Sequence, residues 1–252
     1  MAIYNITSQQ LKGAGILNSF ELAAGGAFPN QYSVEFDGTD DSVNMGNVSE
    51  LDFNHNNAFT LSAWVKRDTT GTGVIIDKME TSGNLTGYQL AFVSDKIRIL
   101  HRRQNQTFNR IQRSTNATFT STTEWYHIVS TYDGSRTNAG LKIYVNGSEA
   151  ASTGANSMNA GAWNNSADFK VGRSTDGHID EVSVYNSELS ATDVATIYNS
   201  GIPGDVTSLN PVGWWRMGDN DSGTGITVTD QGSGDNDGSL TNDAAFTTDV
   251  PS

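Results

Sequence analysis

The stretch FTLSAWVK, residues 59–66, decides the fold, because its residues alternate between two kinds of side chain. The first set is apolar and consists of Phe59, Leu61, Ala63 and Val65. The second set is mostly polar and consists of Thr60, Ser62, Trp64 and Lys66. Successive side chains of a β-strand point to opposite faces, so the first set shares one face. The stretch therefore predicts a strand that is buried on one side.

Similar short runs continue on both sides of this strand, separated by clusters of Gly, Asn, Asp and Ser. They are YSVEF (32–36), GVIIDK (73–78), YQLAFV (88–93), KIRILHRR (96–103), WYHIVSTY (125–132), LKIYVNG (141–147), FKVGR (169–173) and IDEVSVYN (179–186). Asn146-Gly147 is the strongest short signal for a β-hairpin. The pattern predicts an all-β fold, an antiparallel sandwich of two sheets.

One short helix is predicted near residues 190–200. Ser190 is a suitable N-cap and Asp193 follows it by three residues, as in a capping box. Val194, Ile197 and Tyr198 form an apolar stripe, and Gly201 is expected to end the helix.

Composition limits the classes of function. The 252 residues include no cysteine, which excludes disulfides and thiolate chemistry, and the formal net charge is −13. Such a charge argues against a nucleic-acid or anionic-membrane partner. The first residues lack the pattern of a secretory signal, and no stretch reaches the roughly 18 apolar residues of a membrane helix. We expect a protein that stays in the cell or leaves it by lysis or within a particle.

The ends of the chain differ from its middle. Residues 1–30 show little alternation and contain a Gly-rich joint, so we predict an N-terminal arm for anchoring or assembly, followed by a sandwich over residues 31–252. The stretch VGWWRMGD (212–219) has large apolar side chains on both faces and too few residues after it for a separate core. We therefore predict that residues 210–252 supply a strand and an acidic loop to the same sandwich, with the strand paired at the edge formed by residues 32–36.

Several blocks, in their order along the chain, resemble the laminin-G-like domain, a concanavalin A-like and pentraxin-related jelly roll. The blocks are YSVEFDGTDDSVNMGN (32–47), FTLSAWVK (59–66), TEWYHIVSTYDGS (123–135), LKIYVNGSEAAS (141–152), FKVGRS (169–174) and HIDEVSVYNSELSATDVATIYNSG (178–201). The resemblance implies a jelly-roll sandwich whose rim loops bind glycans or proteins, often with Ca²⁺, as in surface proteins, glycosidase accessory domains and phage structural proteins. In many relatives a block like VGWWRMGD precedes the first of these strands, so the order here is permuted.

Catalytic patterns are not found in the sequence. Glycosidases of similar fold carry paired carboxylates on one strand, of the form Glu-x-Asp-x-x-Glu, and no such run occurs. The four histidines do not have the spacing of metal ligands, and neither a Ser-His-Asp nor a phosphate-loop signature is present. We predict that the protein is not an enzyme.

Calcium is the cofactor that the resemblance implies. The family places the strand ends carrying Asp37 and Asp180 side by side, and the matching Asp in related sandwiches often binds a structural Ca²⁺. Gly38 would let its carbonyl turn toward the ion. Alternatively, both Asp side chains accept hydrogen bonds from backbone N–H groups at the strand ends.

Two further features are candidates for ligand binding. Residues 96–113 hold six of the 15 Lys and Arg residues, including Arg98, Arg102 and Arg103. These residues are expected to bind an acidic glycan or an acidic face of a partner subunit. Alternatively, they form a solvated strand pair. Trp163 lies in a predicted loop, where it either stacks on a sugar or packs beneath the loop.

These features predict a non-enzymatic structural protein. The first hypothesis is a phage virion subunit, of the capsid-decoration or fibre type, that displays a lectin-like domain. Its partners would be capsid or fibre proteins, a host-surface glycan and further copies of itself. The alternative is a bacterial glycan-binding module that is extracellular or at the cell surface.

Overall fold

The computed structural model describes residues 28–80, 85–103, 109–156 and 165–252. Most of the predicted N-terminal arm and Trp163 lie outside these ranges. The described residues contain one α-helix, α1 (Ala191–Tyr198), and seventeen strands. The strands are β1 (Ser33–Asp37), β2 (Ser42–Asn44), β3 (Phe59–Arg67), β4 (Gly73–Met79), β5 (Gly87–Val93), β6 (Lys96–Arg102), β7 (Arg110–Thr115), β8 (Tyr126–Tyr132), β9 (Leu141–Val145), β10 (Ser148–Glu149), β11 (Ser152–Ala155), β12 (Lys170–Val171), β13 (Asp176–Tyr185), β14 (Gly213–Trp215), β15 (Thr227–Val228), β16 (Gly238–Thr241) and β17 (Ala245–Thr247).

The strands form two antiparallel sheets. The first sheet has the order β10-β9-β8-β3-β13-β1-β17, and β14 pairs with β13 beside this path. The second sheet has the order β11-β7-β6-β5-β4-β12-β2-β16-β15. The predicted fold class, an all-β two-sheet jelly-roll sandwich with one short helix, is confirmed. Among the described residues, no helix has the length and apolar character needed to span a membrane.

The core lies between the sheets and contains the apolar set of the opening strand. Phe59, Leu61, Ala63 and Val65 are all fully buried there, as their alternation predicts. Phe59 stacks on Tyr88 of the second sheet with ring centroids 5.5 Å apart. The opposite set faces the outside of the first sheet, where part of it forms the site described below.

Local signals in the sequence are also confirmed. Asn146 (φ 49°) and Gly147 (φ 76°) form the two-residue turn between β9 and β10, a conformation that favours this dipeptide. At the start of α1, the Asp193 N–H donates to Ser190 Oγ and the Ser190 N–H donates to the Asp193 carboxylate, which completes the capping box. The helix ends at Tyr198, and its C-cap is Asn199 (φ 47°) rather than Gly201, because Asn also adopts the left-handed conformation of a C-cap.

Strand β14 completes the first sheet. It pairs with Val182–Val184, the second half of β13, and not with residues 32–36 as predicted. The outer edge of β1 is paired instead with β17. The reason is length: the ten residues of β13 extend beyond the five of β1, so the second half of β13 has room for another neighbour. Residues 210–252 thus supply strands to both sheets.

The two tryptophans of β14 lie on opposite faces of the first sheet. Trp215 is fully buried between the sheets and stacks on Phe169, with ring centroids 5.3 Å apart. Trp214 lies on the outer side, in a second apolar cluster with Val194 and Ile197 of α1. Both faces of this short strand are therefore covered.

A buried polar network fixes β14 to a bulge in β13. At the bulge, Glu181 has the left-handed φ of 46° and its carboxylate accepts hydrogen bonds from Arg216 Nε (2.9 Å) and Trp214 Nε1 (2.7 Å). Arg216 also donates to Asp219 Oδ2 (3.0 Å), and its guanidinium lies 3.9 Å from the ring centroid of Phe28. The network joins the C-terminal segment, the central strand and the chain that enters β1.

Asp180 is the second carboxylate at this bulge, and it is fully buried. It accepts hydrogen bonds from Asn30 Nδ2 (2.9 Å) and from the Glu181 N–H (2.7 Å), but from no cation among the described residues. Burial, and then the charge of Glu181, raise the pKa of Asp180 well above its usual range. Burial also raises the pKa of Glu181 to about 7, although Arg216 acts against this shift. We infer that Glu181 holds the negative charge that pairs with Arg216, while Asp180 stays protonated.

The protonated Asp180 makes stability depend on pH. A carboxyl whose pKa is raised in the folded state stabilises it fully below about pH 4, the ordinary pKa of Asp. This stabilisation is lost as the pH rises toward and through the raised folded-state pKa, so the free energy of unfolding should fall as the pH rises above about 4. Asp180→Asn should make this fall shallower, because the amide stays neutral. Urea unfolding at several pH values measures this dependence, and Asp235→Asn, at an exposed side chain, is the control. A fall of the same slope in Asp180→Asn and the natural chain would contradict the assignment.

Trp215 should be among the residues on which the sandwich depends most. Trp215→Ala should lower the free energy of unfolding by about 3–5 kcal/mol, because it removes a fully buried ring and leaves a cavity. Ile226→Ala, at a side chain that is 64% exposed, should change it by less than about 0.5 kcal/mol. Urea denaturation measures both values. Equal, small losses would show that β14 is an appendage to the sandwich.

Candidate functional site

A cleft of about 450 Å³ opens on the outer side of the first sheet, beside the end of α1. Its lining comes from β3, the segment before β8, the β9–β10 turn, the residues around the end of α1 and the C-terminal segment. The lining residues are Trp64, Thr123, Glu124, Trp125, Asn146, Tyr198, Gly201 and Ser252. Three aromatic rings and several hydroxyl, amide and carboxylate groups therefore meet in one place.

Trp64 forms the floor of this cleft. It lies opposite His127 on β8, and the two ring centroids are 4.9 Å apart. Tyr198 stacks on Trp64 at 5.7 Å with an interplanar angle of 22°. The turn at Gly147 allows this stack, because a Cβ there would lie 2.7 Å from Tyr198 Cδ1. The Asn-Gly hairpin signal thus also determines the shape of the cleft.

His127 contributes ring surface to this stack rather than charge. It is fully buried, and burial lowers its pKa to about 3. Its Nε2 lies 3.0 Å from Ser62 Oγ, within hydrogen-bond distance. The imidazole is therefore neutral at physiological pH.

Trp125 forms a wall of the cleft, and the C-terminal segment holds it in place. Its Nε1 donates a hydrogen bond to Asp249 Oδ1 (3.2 Å), and the other oxygen of Asp249 pairs with Lys66. The ring also lies against His178, with centroids 6.2 Å apart. These contacts fix the orientation of a ring that stays half-buried.

Polar groups line the rim. The Asn146 side-chain oxygen accepts the His127 N–H (2.9 Å), which leaves the amide nitrogen of Asn146 without a partner among the described residues. The carboxylate of Glu124 and the hydroxyl of Thr123 are both exposed. Aromatic faces beside such donors and acceptors can stack on the apolar faces of a sugar ring and bind its hydroxyl groups.

None of these rings is among the ligand-binding candidates that the sequence predicts, so the cleft is not foreseen from it. The available signal was Trp64, a large ring on the otherwise polar face of an alternating strand. The other walls could not be placed, because Trp125, Tyr198 and Ser252 are far apart in sequence.

Asp37 and Asp180 do not lie side by side, so this part of the calcium prediction is wrong. In the β1–β13 register Asp37 lies opposite Asp176, and Asp180 is four residues further along β13, about 13 Å away at the usual rise of a strand. Each Asp accepts a backbone N–H at 2.7 Å, from Thr39 and Glu181 respectively. The geometry is that of the alternative, in which both side chains bind backbone groups.

Asp37 lies instead with Asp40 and Asp41, whose carboxylate oxygens come within 4.8 Å of one another. Asp41 is buried and accepts the N–H groups of Asp37 and Asp243, each at 2.9 Å, so it organises the turn. Gly38 has a φ of 81° in this turn, and a Cβ there would lie 2.8 Å from Asp176 Cβ. Calcium at this edge stays a prediction.

The basic residues lie on the opposite side of the molecule from the cleft. Arg98 and Arg102 share the outer face of β6 in the second sheet, and Arg110 of β7 lies directly opposite Arg102. Arg98 donates to Gln89 Oε1 (3.1 Å), and burial, then the charge of Arg110, lower the pKa of Arg98. Arg103 follows the strand, where its N–H donates to the Asn109 carbonyl (2.8 Å). The structure thus brings Arg98 and Arg102 to one face, while Arg103 lies just beyond the end of β6.

The same face carries one buried carboxylate, that of Asp77. Burial raises the pKa of Asp77, although Arg173 acts against the shift from 2.8 Å. Gln89 also donates to Asp77 (3.3 Å), which connects this ion pair to Arg98. These bonds occupy both oxygens of the carboxylate.

Solved structures of similar fold include proteins of several kinds. One is botulinum neurotoxin type C, whose cell entry depends upon interaction with two ganglioside molecules (14% identity, 57% of this chain and 36% of the other, TM-score 0.40). Another is the native heptameric SAP-like pentraxin from Limulus polyphemus (15%, 67% and 82%, 0.45). A third is Trypanosoma rangeli sialidase in complex with sialic acid (19%, 68% and 28%, 0.49).

Among curated proteins, no significant match is found. The chain covers 36% of the botulinum neurotoxin chain and 28% of the sialidase chain, so it is similar to only a part of each.

A family model described as the concanavalin A-like lectin/glucanases superfamily matches residues 37–195, which is more than half of the sequence. The matched residues run from the end of β1 into α1 and include the strands of the cleft floor. The chain belongs to this concanavalin A-like lectin/glucanases superfamily.

Proposed function

We propose that this protein is a non-enzymatic carbohydrate-binding module, and that the cleft over Trp64 is its binding site. The observation that supports the proposal is the meeting of Trp64, Trp125 and Tyr198 with the polar groups of the rim. The lectin-like fold agrees with it.

The cleft suits a sugar in size and in rigidity. Its volume of about 450 Å³ lies within the range of small-molecule sites, roughly 300–1,000 Å³. Trp125 is oriented by its bond to Asp249, and Tyr198 by its stack on Trp64. Because contacts within the protein already orient these rings, little conformational entropy is lost on binding.

An array of glycans with the full chain tests the proposal. Calorimetry should follow the strongest hit. We expect Trp125→Ala and Tyr198→Ala each to weaken binding at least about tenfold, since removal of a ring that stacks on a ligand costs on the order of 1–3 kcal/mol where it has been measured for stacked bases. Ile226→Ala, at an exposed side chain distant in sequence from the cleft lining, should bind like the natural chain. Binding that both ring deletions leave unchanged would contradict the site, and a chain that binds none of the glycans would contradict the function.

The assignment as a binding protein is supported by the state of three buried carboxyl groups on the strands. Asp77 is paired with Arg173, and Glu181 with Arg216, while Asp180 is inferred to be neutral. A glycosidase needs two carboxyl groups that are both accessible to the glycosidic bond. We therefore expect binding without hydrolysis, which mass spectrometry of the bound glycan would check.

We further propose that the protein is a subunit of a phage virion, of the capsid-decoration or fibre type. The support comes from the sequence: a polar arm with a Gly-rich joint over residues 1–30, and the blocks SVEFDGTDDSV (33–43) and VGWWRMGD (212–219), which resemble those of phage structural proteins. Its partners would be capsid or fibre proteins and further copies of itself. Immunogold labelling of purified particles would support this location, and label on cell surfaces alone would favour the bacterial module instead.

The basic face should determine binding to an acidic partner. Arg102→Glu with Arg103→Glu should leave the melting temperature nearly unchanged, because partly exposed charges contribute little to stability. Binding to purified particles, or to a sulfated or sialylated glycan, should fall, and the difference should be larger at low salt. A pull-down at two salt concentrations measures this. Identical binding by the double variant would contradict the role of this face.

Calcium should raise the melting temperature if the acidic turn around Asp37 binds it. We expect a higher melting temperature with Ca²⁺ than with EDTA, since an ion that binds only the folded state stabilises it. Asp40→Asn should abolish the difference, because Asp40 has an exposed carboxylate beside Asp37. Equal melting temperatures with Ca²⁺ and with EDTA would contradict the prediction.

A further inference from the structure

Next to the cleft, three strands bring a histidine and two carboxylates together. His178 lies on β13, and Glu35 of β1 is its directly paired neighbour. Asp68 follows β3 on the other side, where its N–H bonds to the Asp176 carbonyl (3.0 Å). Facing atoms of the three side chains lie within 4.8 Å of one another.

His178 is the unusual member of this group. Its side chain is 9% exposed, and its Nδ1 has no hydrogen-bond partner among the described residues. Its Nε2 lies 3.6 Å from Asp68 Oδ2 and 4.0 Å from Asp249 Oδ2, beyond the length of a hydrogen bond. A buried polar ring normally has partners, because burial without them is costly. The ring is therefore directed at carboxylates but bonded to none of them.

The nearby cation does not compete for the two carboxylates. Lys66 lies opposite His178 on β3, but it pairs with Asp249. Apart from the contact of Asp68 with His178, neither Glu35 nor Asp68 has a side-chain hydrogen bond or ion pair to any of the described residues. Both are exposed, so their carboxylates can rotate toward a ligand. The local charge that remains is negative.

We propose that His178, Glu35 and Asp68 bind a divalent transition-metal ion such as Zn²⁺. One imidazole nitrogen with two carboxylates is a ligand set that Zn²⁺ accepts, whereas Ca²⁺ and Mg²⁺ prefer oxygen ligands alone. The facing atoms come within 4.8 Å of one another, and the two exposed carboxylates can close on an ion while the buried ring stays in place. Water would complete the coordination.

The site would be connected to the cleft through one contact. The ring of His178 lies against Trp125, a wall of the cleft. An ion at His178 would restrain this ring and thereby support Trp125. The metal site is nevertheless distinct from the carbohydrate site and stands whether or not a glycan binds.

Calorimetric titration of the full chain with ZnCl₂ tests the proposal. We expect one Zn²⁺ per chain, and binding at least about tenfold weaker in His178→Gln and in Asp68→Asn. His55→Gln is the matched control, because the charges of Arg136 and Arg103 lie near His55 and oppose a cation there. Co²⁺ offers a direct readout, since its visible absorption bands report bound nitrogen and oxygen ligands.

The outcomes separate clearly. Zn²⁺ binding that is lost in His178→Gln and in Asp68→Asn, but kept in His55→Gln, supports the site. The proposal is overturned if Zn²⁺ does not bind the natural chain, or if binding survives in His178→Gln. It is also overturned if an equal concentration of Ca²⁺ displaces the Zn²⁺. If His178→Gln fails to fold, as judged by circular dichroism, Asp68→Asn and Glu35→Gln decide, because both side chains are exposed.

Discussion

The buried ion pair between Arg216 and Glu181 is the interaction on which the rest of this structure depends. It joins the C-terminal segment to the bulge of the central strand, and Trp214 donates to the same carboxylate. The charge of Arg216 also reaches the ring of Phe28 and the carboxylate of Asp219. A single guanidinium thus connects the chain before β1, strand β13 and strand β14. Because the pair is buried, removal of Arg216 would leave the carboxylates of Glu181 and Asp219 without their cation, and removal of Glu181 would leave Arg216 with Asp219 as its remaining carboxylate partner.

The same C-terminal segment builds the cleft. Asp249 orients Trp125 and neutralises Lys66, and Ser252 lines the opening. Strands β14, β16 and β17 bring the segment to both sheets before it reaches this position. The residues that complete the sandwich therefore also position the proposed carbohydrate site. A substitution that weakens the pairing of β14 should therefore disturb the cleft, although β14 itself lies outside the cleft.

The sequence was sufficient for the parts of the fold that local patterns determine. The alternation of residues 59–66, the Asn146-Gly147 turn and the capping box at Ser190 all reflect interactions between near neighbours. The register between strands could not be predicted from the sequence. The pairing of Asp37 with Asp176 separates Asp37 from Asp180, and the partner of β14 depends on the length of β13. The cleft was missed for the same reason, because its rings meet only through long-range pairing.

A double-mutant cycle on Glu181→Gln and Arg216→Met tests the central claim most directly, that the buried pair holds residues 210–252 to the sandwich. The free energy of unfolding, measured in urea, is compared for the natural chain, the two single variants and the double variant. Each single variant should lose about 3–5 kcal/mol, and the double variant should lose clearly less than the sum. Losses that simply add would contradict the account, because they would show that the two side chains do not act on each other.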